Sequence, residues 1–284
     1  MEPTNTTSRR EKTRQLTGYS ERLSAFSPHA RSVVVFSFGF FVLAAQTLLF
    51  RDFLTVFEGS EIAIGVFFGS WLLWVGLGAR ISRWWHRWLG LRFFELLPLL
   101  YIPAFMLERY VLLSTRSLAG VAQYEVFPLI KMIPLAAAAN IPVSLLTGAI
   151  FTLACEWKSN DRDLPVAGVY MLEALGSFAG GLIVTLWLAQ GTPAESVFIY
   201  TAFIPVVAVA ICAFAMHRRP VVSLGVLIML LVTAAGGLDN TWREYHDRQQ
   251  WERLMPASGY QGAFTTPQAE YLYGAREDQF VVLS

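Results

Sequence analysis

Cysteine is almost absent from this chain: Cys155 and Cys212 are the only two in 284 residues. Two thiols in or beside apolar segments give neither a disulfide framework nor a zinc-ligand spacing. They read as small buried hydrophobes. Histidine is nearly as scarce. His29, His86, His217 and His246 all lie outside the middle of any apolar run, so a haem would lack axial ligands at membrane depth. Charged residues make up 15% of the chain, against roughly 25% in an ordinary soluble domain. The net charge is +1, which leaves no basic field for nucleic acid. Soluble-enzyme motifs are missing as well. There is no Gly-x-Gly-x-x-Gly after a strand, no Walker loop, no His-Glu-x-x-His and no nucleophile elbow. No cofactor, metal or catalytic residue is expected.

What is abundant is apolar sequence. Hydrophobic residues reach 55%, and the mean hydropathy is +0.46. That excludes a disordered chain and weighs against a soluble enzyme. Seven apolar runs follow one another: Ser32–Phe50, Ile62–Ala79, Phe93–Leu113, Phe127–Ala154, Val166–Leu188, Val197–Met216 and Val221–Leu238. A hydrocarbon core of ~30 Å takes ~20 helical residues, and only helices satisfy the backbone there without water. The expected fold is an all-α polytopic membrane protein of about seven transmembrane helices over residues 32–238. A polar, basic tail precedes it at 1–31. An extramembrane tail follows at 239–284. The third run carries Glu95, Pro98, Pro103, Glu108 and Arg109. The fourth opens with Pro128, Lys131 and Pro134, so its spanning part should start near Ile133. These two are the weakest runs, and either can be kinked or re-entrant.

Charge bias orients the bundle. Arg9, Arg10, Lys12, Arg14, Arg22 and Arg31 lie before the first run, and Arg80, Arg83, Arg87 and Arg92 follow the second. Lys158, Arg162, Arg218 and Arg219 fall on the same side. The opposite loops hold Arg51, Arg109 and Arg116, with Lys131 a borderline fourth. The expectation is an integral protein of the bacterial inner (plasma) membrane, N-terminus cytoplasmic and C-terminal tail outside. If one weak run fails to cross, the tail changes side. Trp71, Trp74, Trp84, Trp85 and Trp88 crowd the second run and its end, where amphipathic rings anchor at the headgroup level.

The tail begins with Thr241-Trp-Arg-Glu244, which has the form of a capping box. A helix from there should run until Pro256. Its Trp242, Tyr245, Trp251 and Leu254 do not fall on one face. β-prone stretches follow at Gly262–Thr266, Glu270–Tyr273 and Gln279–Leu283. The last two read as a hairpin whose turn lies between Gly274 and Asp278. An isolated hairpin is marginal in water, and the final strand leaves its edge unprotected. Tyr271, Tyr273, Phe280 and Val282 are the residues expected to dock a partner protein.

Ionisable and polar groups inside a membrane run are the default functional candidates. The clearest is Glu173 in Tyr170-Met-Leu-Glu-Ala-Leu-Gly-Ser-Phe-Ala-Gly-Gly181. Gly176 and Gly180 form a Gly-x-x-x-Gly pair, and Ser177 and Gly181 repeat the spacing. The smooth face they make admits another helix closely, and Glu173 should point into that contact. It then either bonds across the interface or serves as a proton or cation site. Gln46, Arg51 and Asn140 should each find a partner inside the bundle. Glu95 should pair with Arg92 or Arg87.

Three stretches together are similar to a known pattern. Gln46-Thr-Leu-Leu-Phe-Arg51 continues through Phe57-Glu-Gly-Ser-Glu61 to Ile64-Gly-Val-Phe-Phe-Gly-Ser-Trp-Leu-Leu73. Tyr170–Gly181 follows, then Ala269-Glu-Tyr-Leu-Tyr-Gly274 with Gln279-Phe-Val-Val-Leu283. In this order they resemble the N-terminal membrane domain, and the opening of the small β-domain, of membrane-fused spermidine synthases (polyamine aminopropyltransferases). The resemblance implies a catalytic part with a glycine-rich nucleotide loop and an acidic amine-binding motif. Neither motif is in this chain, so no catalytic residue carries over. It therefore reads as a membrane anchor or scaffold, embedded in a lipid bilayer, whose last strands dock a separate chain that supplies the rest of the β-domain. Two alternatives stand beside it. One is a small-solute or polyamine transporter built on Glu173, Asn140 and Gln46. The other is a non-redox membrane subunit of a respiratory complex.

Overall fold

Backbone N–H and C=O groups in hydrocarbon need partners within their own segment, and the apolar runs accordingly build helices. The computed structural model describes residues 28–57, 61–89, 97–121, 125–159, 166–215, 221–235, 238–252, 255, 259–266, 270–276 and 279–283. The helices are α1 (Pro28–Val56), α2 (Glu61–Leu89), α3 (Tyr101–Ala119), α4 (Leu129–Ala139), α5 (Ile141–Ser159), α6 (Val166–Ala189), α7 (Ala194–Ala215), α8 (Val221–Ala235) and α9 (Leu238–Glu252). Three strands follow: β1 (Tyr260–Thr265), β2 (Glu270–Arg276) and β3 (Gln279–Leu283).

Local chemistry sets several helix ends. Pro28 opens α1, where its missing N–H costs no hydrogen bond. Glu61 sits in the first turn of α2, facing the positive end of the helix dipole. Gly120 closes α3 in the left-handed region at φ 61°, and its N–H reaches the Ser117 carbonyl. Gly191, at φ 79°, makes the tight turn from α6 to α7.

Among the described residues, five helices are long and apolar enough to cross a membrane: α1, α2, the segment ending in α3, α6 and α7. A sixth crossing results if α4 and α5 are one span, bent by 44° at Asn140. The seventh apolar run forms α8, which has only 15 helical residues. At ~1.5 Å per residue it reaches about 22 Å, short of the ~30 Å core. Of the seven expected spans, five or six are thus long enough among the described residues, and the seventh is represented by the shorter apolar helix α8. α1 also begins at Pro28 rather than Ser32, so part of the expected polar tail is helical. The third run starts its α-helix at Tyr101, after a 3₁₀ turn at 97–100.

α1 and α7 occupy the centre, and α2 and α6 are mostly exposed to the surroundings. The core is aromatic: Phe41 meets Tyr101 and Phe198, Phe53 meets Phe57 and Phe67, and Phe105 stacks on Phe198. The outward faces of α6 and α8 carry Leu175, Phe178, Leu182, Ile228 and Val232, as a lipid-facing surface requires. Trp71 is buried beside Phe67, and Trp74 Nε1 donates to the Ala137 carbonyl at 2.7 Å. Trp84 is exposed; the side chains of Trp85 and Trp88 lie outside the described residues.

Glycine brings two helix pairs to backbone contact. A Cβ on Gly176 or Gly180 would overlap the Phe36 or Phe40 carbonyl of α1, and one on Gly39 would overlap the Glu173 carbonyl of α6. Ser177 Oγ donates to the Gly39 carbonyl at 3.1 Å between them. Gly181 meets only the Leu43 side chain. The second pair is reciprocal: Gly78 of α2 sits on Leu145, and Gly148 of α5 sits on Val75.

α9 starts at Leu238, so Thr241 and Glu244 lie inside the helix and do not cap it as expected. Beyond it the expected hairpin is a three-stranded antiparallel meander, in the order β1-β2-β3. Trp251 of α9 is fully buried and contacts Gly259 and Gly274. A side chain at Gly274 would collide with its indole. Leu272 is buried on the same side of the sheet.

Candidate functional site

Pro142 has no N–H to give to a helix, and the two short helices around it part at Asn140. A break inside the apolar zone leaves donors and acceptors that need partners. Asn140 supplies some. It is 1% exposed, and its Nδ2 donates to the Phe67 carbonyl at 3.1 Å and to Ser70 Oγ at 2.8 Å. Its own carbonyl accepts the Ser144 hydroxyl. The Val143 N–H, at the start of α5, is taken by Glu108 Oε2 of α3 at 2.9 Å. Thr147 donates to the Val143 carbonyl at 2.7 Å and accepts the Tyr101 hydroxyl at 3.2 Å.

One residue after Glu108, Arg109 bridges two other helices. Its Nε donates to Asp52 Oδ2 of α1 at 2.8 Å, and its Nη2 donates to Glu195 Oε1 of α7 at 2.6 Å. All three are largely buried. A guanidinium fork can hold two carboxylates at once, whereas an ammonium is a point charge. The charges do not cancel within the triad, and Arg51 stands within electrostatic reach of Asp52. Its two terminal nitrogens are buried without a hydrogen-bond partner, contrary to the partner expected from sequence. Arg116 ties down the same end of the bundle. It donates to the Val56 carbonyl at 2.8 Å and the Glu125 carbonyl at 3.2 Å, with its guanidinium 5.7 Å from the Phe127 ring centroid. Lys131 Nζ donates to the Ala119 carbonyl at 2.9 Å.

Of the candidate site residues Glu173, Asn140 and Gln46, only Asn140 belongs to this cluster, with Arg51 beside it through Asp52. Glu173 is half-buried on α6, with its carbonyl against Gly39. Gln46 is half-buried on α1. Glu95 lies outside the described residues. Asp52, Glu108, Arg109 and Glu195 share no local pattern in the sequence, although Glu108-Arg109 is the most conspicuous charged pair inside an apolar run. Among the described residues, no group of His, Cys, Asp or Glu is arranged to hold a metal ion.

A second surface lies in the tail. Phe264, Tyr271, Tyr273, Phe280 and Val282 share the sheet face opposite Trp251. Phe264 stacks on Tyr271 at 5.2 Å, and Tyr273 meets Phe280 at 6.0 Å. Phe280 is 69% exposed and Val282 47%. Among the described residues, β3 has a strand neighbour on one side only. No protein-family model, no curated protein and no solved structure matches the chain.

Proposed function

We propose that this chain is an integral-membrane scaffold, without catalysis of its own, that docks a second protein through β3. The observation that carries the reading is the exposed row of Phe264, Phe280 and Val282 beside a one-sided strand. Soluble surfaces seldom leave such a row and edge open together. The occupant is a strand from a β-containing domain of another polypeptide. It pairs with β3 through backbone hydrogen bonds and sets alternate apolar side chains over the aromatic face. The resemblance to membrane-fused spermidine synthases makes that domain synthase-like, with the amine chemistry on the partner. In the same reading the N-terminus is cytoplasmic in a bacterial inner membrane. α8 then makes a seventh crossing, by local thinning of the bilayer, and the tail lies outside.

Photo-crosslinking residues placed at Phe280 and at Val282 in native membranes test this. The expected result is one and the same polypeptide joined at both positions, lost when Val281→Pro removes a ladder donor from β3. Adducts to lipid alone, or no adduct, overturn the reading. A transporter is the second reading, favoured by the broken α4–α5 span and its buried polar groups. Flux through proteoliposomes that persists with the tail face blocked would favour it.

A further inference from the structure

Glu108 is fully buried, and only one of its carboxyl oxygens is engaged. Oε2 caps the start of α5 through the Val143 N–H. Oε1 is buried with no hydrogen-bond partner. Among the described residues, no cation from the elements packed around it is bonded to that oxygen. On α3 itself, Arg109 is held by Asp52 and Glu195, and Arg116 by two carbonyls. From α1 the charged groups at this end are Asp52 and Arg51, whose terminal nitrogens have no hydrogen-bond partner but whose charge is within reach of Asp52; Arg31 lies at the opposite end of the helix. From α4 there is Lys131, bonded to the Ala119 carbonyl. From α7 there is Glu195, already on Arg109. α5 has no charged residue from Ile141 to Ala154.

A carboxylate ion in that setting would lose its hydration and gain only one backbone donor. A buried charge of this kind neutralises instead. The neutral acid fits the geometry: Oε2 stays a carbonyl acceptor for Val143, and the proton sits on Oε1. We infer that Glu108 is a proton-binding site at the α4–α5 break, which holds a proton on Oε1 and exchanges it when the break opens. On release the O–H bond breaks, the proton passes to water admitted at the break, and the electron pair stays on the carboxylate. The exposed N–H groups at the start of α5, the positive end of its dipole, then face that charge. Asn140 fastens the break to α2 through its side-chain bonds to Phe67 and Ser70. This site is independent of the docking role proposed for the tail.

Infrared difference spectroscopy of the full chain in lipid vesicles at neutral pH tests it. Glu108→Gln keeps a carbonyl for Val143 but carries no acid proton. The expected result is a protonated-carboxyl band in the wild type that is lost in Glu108→Gln and retained in Glu173→Gln. Transfer into heavy water should shift the band, which reports exchange. An unchanged band in Glu108→Gln overturns the inference, as does loss of an ionised-carboxylate band in its place. A band that never shifts in heavy water overturns the exchange. Should Glu108→Gln fail to fold, titration of the Glu173→Gln chain decides the matter. A protonated band that outlasts the ordinary carboxyl range supports the inference, and one lost wholly within that range overturns it.

Discussion

At the scale of single residues, Arg109 is the side chain on which most depends. It is the shared partner of two buried carboxylates from helices that sequence does not bring together. Removing one member of a buried ionic group leaves the others charged and uncompensated, at about 3–5 kcal/mol. Arg109→Leu is therefore expected to destabilise the bundle by that amount, measured by reversible unfolding in mixed micelles. Arg109→Lys should recover only part of it, because one ammonium cannot fork across both acids. Asn140→Ala should cost less, about 1 kcal/mol, since the hydrogen bonds it removes are neutral. Equal losses for the two would mean that the triad is not the stronger fastening.

At the scale of elements, the helix pairs α1–α6 and α2–α5 are set by glycine. The Gly-x-x-x-Gly spacing at Gly176 and Gly180 was legible, because it repeats along one helix face. The partner helix was not. Gly78 and Gly148 lie in separate runs and carry no such local signature; only their juxtaposition makes them a pair. Gly148→Ala and Gly176→Ala should each destabilise by about 1–3 kcal/mol, since a methyl there must displace backbone. Gly69→Ala and Gly225→Ala meet open space and should be neutral or stabilising by up to about 1 kcal/mol. The four variants measured in one unfolding series check this, and a uniform response would refute close backbone packing. The broken fourth span was partly legible as well. Pro128, Pro134 and Lys131 warned of a kink, but the bend falls at Asn140, where Pro142 withholds a donor and Glu108 reaches the next one.

At the scale of the whole molecule, a bundle of apolar helices carries a small tail of one helix and three strands with a core of its own around Trp251 and Leu272. Trp251→Ala should cost the tail about 3–5 kcal/mol and release the sheet while the bundle stays folded. Hydrogen exchange would then rise in β1 to β3 and remain slow in α1 and α7. The number of crossings also acts at this scale. Six leave the tail on the side of the N-terminus, and seven put it on the opposite side. A Met255→Cys chain labelled with a membrane-impermeant maleimide reports which. With α8 crossing, the expected label enters from the side opposite the N-terminus.

An apolar helical bundle with a β-prone end was legible along the chain. Hydropathy is a sum over neighbours in the chain, and a helix in lipid satisfies its backbone within a few residues. The apolar runs, the small-residue face of α6 and the β-prone end were therefore readable one segment at a time. Which charges meet was decided only in three dimensions. Arg109 finds Asp52 at a separation of 57 residues and Glu195 at 86, and no local period encodes such pairings. Glu173, the most conspicuous acid along the chain, stayed outside the cluster, and Glu108, set among prolines and charges in a weak run, is fully buried within it. Depth in a bundle depends on how helices pack, and that is a property of pairs of segments rather than of any one of them.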